Sequence, residues 1–143
     1  MGPTSATELL LLPVQLHGIR LGRPLDLLLD LESWRVLGFV VLCGDESRRF
    51  LAFAAADPAE HEIAVPSAFL LLGDVDFYLA RSRSLRALLG RTIVRGRREL
   101  GELRDLLLEP DGSVAALLVE QDERTRTVEP AGATVEPEHV ATT

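Results

Sequence analysis

Two stretches of this chain read as copies of each other. Leu21-Gly22-Arg23-Pro24-Leu25-Asp26-Leu27-Leu28-Leu29-Asp30 runs in step with Leu100-Gly101-Glu102-Leu103-Arg104-Asp105-Leu106-Leu107-Leu108-Glu109. Gly22 matches Gly101, Asp26 matches Asp105, the leucine triplets coincide, and Asp30 matches Glu109. After a turn, Val36 to Val41 matches Val114 to Val119, with one residue inserted in the first copy. Self-similarity over such a period marks a supersecondary unit that cannot bury its apolar face alone. Domains this small are marginal by themselves because surface outweighs core. The two copies are therefore expected to pack together and unfold as one.

The repeated unit reads as glycine, strand, turn, strand. Glu109-Pro110-Asp111-Gly112-Ser113 separates two apolar runs. Proline presets φ for a turn, and glycine accepts the left-handed backbone that a short hairpin needs. The flanking runs are too short for independent helices and suit strands. The first copy continues with Arg49 to Ala54 and Ile63 to Val65, closed by Pro66; the second ends with Thr125 to Val128, closed by Pro130. Proline cannot donate to a ladder and belongs at a strand end or edge. Between the copies, Ser84 is placed to cap a short helix ending at Gly90. A longer helix from Asp74 is the alternative there. Residues 1–8 and 136–143 are expected to fray.

Order and duplication together resemble the PRC-barrel family of small β-barrels. The second copy carries the resemblance best: Leu89 to Val94 as the opening strand, then Gly101 to Glu109, Val114 to Glu120 and Thr127-Val128-Glu129-Pro130. In the first copy Pro24 stands where the second has Leu103. The resemblance implies an all-β fold of two small barrels joined by a short helical connector. Repeat one spans 14–73, the connector 74–88, repeat two 89–137 and a tail 138–143. It also implies an adaptor rather than an enzyme. Barrels of this family occur in the H subunit of photosynthetic reaction centres, in a ribosome maturation factor and in archaeal division proteins.

Composition narrows the classes further. Apolar residues make up 47% of the chain, which is ample for a folded core. Apolar runs such as Leu9 to Leu12 fall far short of the roughly 20 residues needed to span a bilayer. No signal peptide is apparent, so a cytoplasmic location is expected. Lysine is absent, which a GC-rich coding sequence explains without function. Charge is unevenly placed: residues 1–80 carry 5 arginines against 11 acids, 81–104 carry 8 against 2, and 105–143 carry 2 against 9. An acidic chain with one basic stretch does not read as a general nucleic-acid binder.

The residues offer little chemistry. Asp26 and Asp30, like Asp105 and Glu109, lie four apart, about 13 Å along a strand. Glycoside-hydrolysing carboxylates sit about 5 to 9.5 Å apart. The two repeated aspartates are better suited to accepting backbone amide bonds. His17, His61 and His139 have no ligand partner at metal spacing. The single cysteine, Cys43, lies in an apolar run and reads as an inert thiol. The glycines at 90, 96 and 101 lack the Lys-Ser or Lys-Thr of a phosphate loop. No catalytic residue, metal or cofactor is expected.

Partner binding is the function this leaves. Arg81, Arg83, Arg86, Arg91, Arg95, Arg97 and Arg98 cluster at the junction of the copies. They are candidates for docking an acidic protein segment, against internal pairing with the acidic surfaces, where exposed pairs contribute about 0–1 kcal/mol each. Trp34, beside the first turn, is a core lid or an interface anchor. The expected partner is another protein, bound through strand edges or barrel faces, with self-assembly left open. The rival reading is RNA or ribosome association through the 81–98 arginines, which salt would weaken steeply.

Overall fold

A computed structural model describes residues 3–136; the tail 138–143 and His139 lie outside the described residues. Strand accounts for 53% and helix for 14% of the fold, so the chain is mainly β. The first sheet collects β2 (Val14–Leu16), β3 (Ile19–Asp30), β4 (Arg35–Cys43), β5 (Arg48–Ala52), β6 (Asp57–Pro58), β7 (Ile63–Ala64), β8 (Leu71–Leu72) and β9 (Arg83–Ser84). The second collects β1 (Thr4–Ser5), β10 (Thr92–Arg95), β11 (Arg98–Leu108), β12 (Val114–Gln121), β13 (Arg124–Val128) and β14 (Ala133–Val135). Three short helices, α1 (Ala6–Leu9), α2 (Val75–Leu79) and α3 (Leu85–Leu88), lie between them in sequence.

In the first sheet the order is β6-β7-β2-β3-β4-β5-β8, with β9 also on β3. In the second it is β13-β12-β11-β10-β14, with β1 also on β11. All ladders are antiparallel except β2 with β7. Neither order closes on itself among the described residues, so no hydrogen-bonded barrel forms. The β3–β4 and β11–β12 hairpins correspond: both long strands slip register beside the aspartate, at Pro24/Asp26 and at Leu103/Asp105. Such bulges re-aim a side chain, here the repeated carboxylate. The matched glycines sit where the partner strand comes close. A Cβ on Gly22 would lie 2.4 Å from the Leu42 carbonyl oxygen, and one on Gly101 2.6 Å from that of Glu120.

The segments ahead of each copy are exchanged. Thr4–Ser5, which precedes copy one, pairs with Leu107–Leu108 of copy two. Arg83–Ser84, which precedes copy two, pairs with Leu28–Leu29 of copy one. The expected fraying of residues 1–8 therefore does not hold for residues 4–8, which form β1 and the start of α1 with Ala6 and Leu9 fully buried. The longer helix from Asp74 is instead two, α2 and α3, separated by β9.

One contiguous core joins the sheets: Leu27, Leu29, Phe39 and Leu51 from the first belong with Leu103, Leu106, Leu117 and Val119 from the second. The hairpin tips are also cross-bonded. Val36 N donates to the Gly112 carbonyl at 2.8 Å, and Val114 N to the Trp34 carbonyl at 2.9 Å. Gly112 has φ +91°, and a Cβ there would come 3.1 Å from the Phe53 ring of the other copy.

Candidate functional site

The repeated aspartates anchor the exchanged segments. Asp105 is the one buried charged side chain among the described residues. Its Oδ1 accepts from Leu106 N at 2.8 Å and Thr7 N at 3.0 Å, and its Oδ2 accepts from the Ser5 and Thr7 hydroxyls. Asp26 accepts from Leu27 N at 2.8 Å, Arg86 N at 3.1 Å and the Ser84 hydroxyl. Ser5 and Ser84 in turn cap α1 and α3, each accepting a backbone N–H at 3.2 Å. Two carboxylates so saturated with donors hold structure together, since a buried charge is tolerated only when fully paired.

The arginines make separate contacts. Arg81 stacks over the Phe77 ring at 3.7 Å and donates to the Phe77 carbonyl, while Arg86 donates to the Leu25 carbonyl. Arg81 thus stays on α2, Arg86 reaches β3, and Arg83 lies exposed on β9. Arg91 donates to the Glu136 carbonyl at 2.6 Å and Arg95 to that of Glu129, tying β10 to the end of the second copy. Arg95 faces Arg98 across the β10–β11 hairpin, with Gly96 and Arg97 in its turn. None of the seven makes an ion pair among the described residues; the observed pairs are Arg35–Asp111, Arg104 with Glu102 and Glu120, and His61–Glu60. Backbone carbonyls, rather than the carboxylates expected from charge balance, hold four of these guanidinium groups. Beside the arginine hairpin lies an open cleft of about 450 Å³ lined by Glu99, Glu102, Glu120, Asp122 and Glu123.

Trp34 joins the two copies. It is 6% exposed and its indole N–H donates to the Ala133 carbonyl at 3.0 Å, so its partner is the second sheet of its own chain. Large apolar side chains are exposed elsewhere, most fully Phe69 at 93% and also Phe77 at 50%. Cys43 is half-buried, and burial pushes its thiol pKa up against the opposing charge of Arg49.

The turn aspartates are tuned differently. Hydrogen bonds from Ser33, Ser47 and Ser113 hold the Asp30, Asp45 and Asp111 carboxyls below the ordinary range. A depressed folded-state pKa stabilises the fold above the unfolded value near about 4 and is lost as pH falls through the folded one. Stability measured from pH 5 to pH 2 is expected to fall through that window. In D111N the fall should be shallower.

Sequence reasoning missed a difference between the copies. In copy one, β8 pairs with the outer edge of β5, Phe50 opposite Leu72. The chain then runs into α2, whose Tyr78 stacks on Phe50 at 3.8 Å and 7°. Together with Val75 this covers an outer face made of Leu28, Val40 and Phe50. The repeat places Leu107, Leu118 and Thr127 at the corresponding positions of copy two, Thr127 standing opposite Leu118. There Leu107 and Leu118 are only half-buried, and β13 pairs with nothing but β12 among the described residues. Thr127 in place of Phe50 is the sequence signal of this difference.

No family model and no curated protein matches the chain. No helix among the described residues is long and apolar enough to cross a membrane.

Proposed function

We propose that this chain is a non-enzymatic adaptor or assembly module of PRC-barrel type, which holds another protein against its β-sheets. The observation that carries this reading is the unequal finish of the copies. The face and edge that the chain covers for itself in copy one, with β8 and α2, are left open in copy two among the described residues. An open edge strand beside a half-exposed apolar face is a template for a partner, which natural proteins otherwise blunt or cover. Paired, bulged hairpins around a repeated aspartate support the family resemblance.

Co-purification at physiological salt, followed by mass spectrometry, tests the proposal. The wild type is expected to retain a protein partner that L118E loses while its melting temperature stays within a few degrees. A wild type that retains none, or an L118E variant that keeps every partner, removes the adaptor reading.

RNA association has one observation in its favour, the exposed hairpin tip with Arg95, Arg97 and Arg98. Against it stands the cleft of five carboxylates on the same side of the second copy, which repels phosphate. Replacing the three tip arginines by serine is expected to leave the retained partners unchanged. Nucleic acid that co-purifies with the wild type and disappears with the triple variant would reverse the order of the two readings.

A further inference from the structure

We infer that β13 takes an extended, acidic segment of a partner protein as an added antiparallel strand; this rests on the adaptor reading and names the chemistry of its ligand. The backbone of β13 is poised for it. Asp122 and Glu123 form a two-residue turn with φ of 53° and 64°, and Gln121 faces Arg124 across it. In such a hairpin the flanking pair exchanges both hydrogen bonds, and bonded and non-bonded pairs alternate along the ladder. Arg124, Arg126 and Val128 therefore bond inward to β12. The N–H and C=O groups of Thr125 and Thr127 point outward, with no ladder partner among the described residues.

Copy one shows what such an edge accepts. Phe50, the counterpart of Thr127, faces Leu72 of β8. Arg49, the counterpart of Arg126, donates to the Leu71 carbonyl at 3.5 Å. An added strand is thus already part of this fold, gripped by an arginine one residue from the outward-facing position.

Charge selects the occupant. Arg124 and Arg126 are the only charged residues within β13 and share one side of it. Pairing β13 with a second copy sets Arg126 against Arg126 or, in the next register, Arg124 against Arg126. Centring the pair on Thr127 leaves the two Arg126 side chains diagonal to each other. Like charges facing across a ladder are destabilising. A foreign strand with Glu or Asp opposite Arg124 and Arg126 meets opposite charge instead, Arg126 keeping its bond to the Leu100 carbonyl. Asp122, Glu123 and Glu129 confine the acidic positions to the span between them.

The test uses the full chain and two capped peptides, one alternating glutamate with valine and one alternating lysine with valine, both flanked by serine. Amide exchange and chemical shifts are read by NMR. The glutamate peptide is expected to slow exchange at Thr125 and Thr127, and the lysine peptide to bind at least about tenfold more weakly. T127P removes an outward donor without touching the β12 ladder, since edge strands tolerate such a proline. It is expected to weaken the glutamate peptide about tenfold or more. R124E/R126E should invert the peptide preference, and serves where T127P does not fold. Unchanged exchange at Thr125 and Thr127, equal binding of the two peptides, or a folded T127P that binds as wild type each overturns the inference. The adaptor reading is judged separately. A folded T127P that retains every co-purified partner removes the edge and leaves the adaptor, whereas a wild type with no partner removes the adaptor.

Discussion

Replacing Asp105 by alanine should cost about 3 kcal/mol or more, because it removes a buried acceptor that satisfies four donors at once. Those donors are Leu106 N, Thr7 N and the hydroxyls of Ser5 and Thr7. For a chain of this size that is a fall in melting temperature of about 10 °C. The sharper part of the expectation is where the loss is felt. Ser5 lies 100 residues from Asp105 in sequence and precedes the other copy. A double-mutant cycle of S5A with D105N should therefore give a coupling of about 1–3 kcal/mol, while S5A with D26N should be additive within about 0.5 kcal/mol. The mirror cycle, S84A with D26N, should couple in the same way, since the Ser84 hydroxyl donates to Asp26. If Ser5 couples to Asp26 rather than to Asp105, each leading segment belongs to its own copy and the exchange is wrong.

That exchange also marks what could be read from the residues and what could not. The hairpins were legible because their signals are local. Leucine runs flank Pro110-Asp111-Gly112, and Gly112 does take the left-handed backbone, at φ +91°. Ser84 announced its helix by N-cap chemistry, and its Oγ accepts the Ala87 amide at 3.2 Å. Ser5 carries the same signal at α1, yet the polar run Thr4-Ser5-Ala6-Thr7 near the chain start looked like a frayed end. Nothing within a few residues of Ser5 says that its ligand is Asp105. The two caps are nearly interchangeable in sequence, so a local pattern cannot tell native pairing from exchanged pairing. Arginine placement was illegible for a related reason: a guanidinium that ends on the Leu25 or Glu129 carbonyl is recognising backbone, which every residue has. Charge counting anticipates only carboxylate partners.

Removing Trp34 should be the most damaging truncation, about 3–5 kcal/mol for W34A, and should weaken both sheets at once. The indole fills the seam between the copies, donating to the Ala133 carbonyl of the second sheet, while its own carbonyl accepts from Val114 N. Next to it Val36 N reaches the Gly112 carbonyl, and Phe53 lies against Gly112. Because one core cluster runs through both sheets, neither has a boundary at which unfolding can stop. Wild type and W34A should each lose protection in β3–β4 and β11–β12 at one denaturant midpoint, lower in the variant. As the only tryptophan, Trp34 reports on the seam itself, and its emission should shift at the same midpoint as the far-ultraviolet circular dichroism. A tryptophan transition that precedes the loss of strand would mean that the sheets part before they unfold. Each copy would then be stable alone, and the seam would be a docked interface rather than part of a common core.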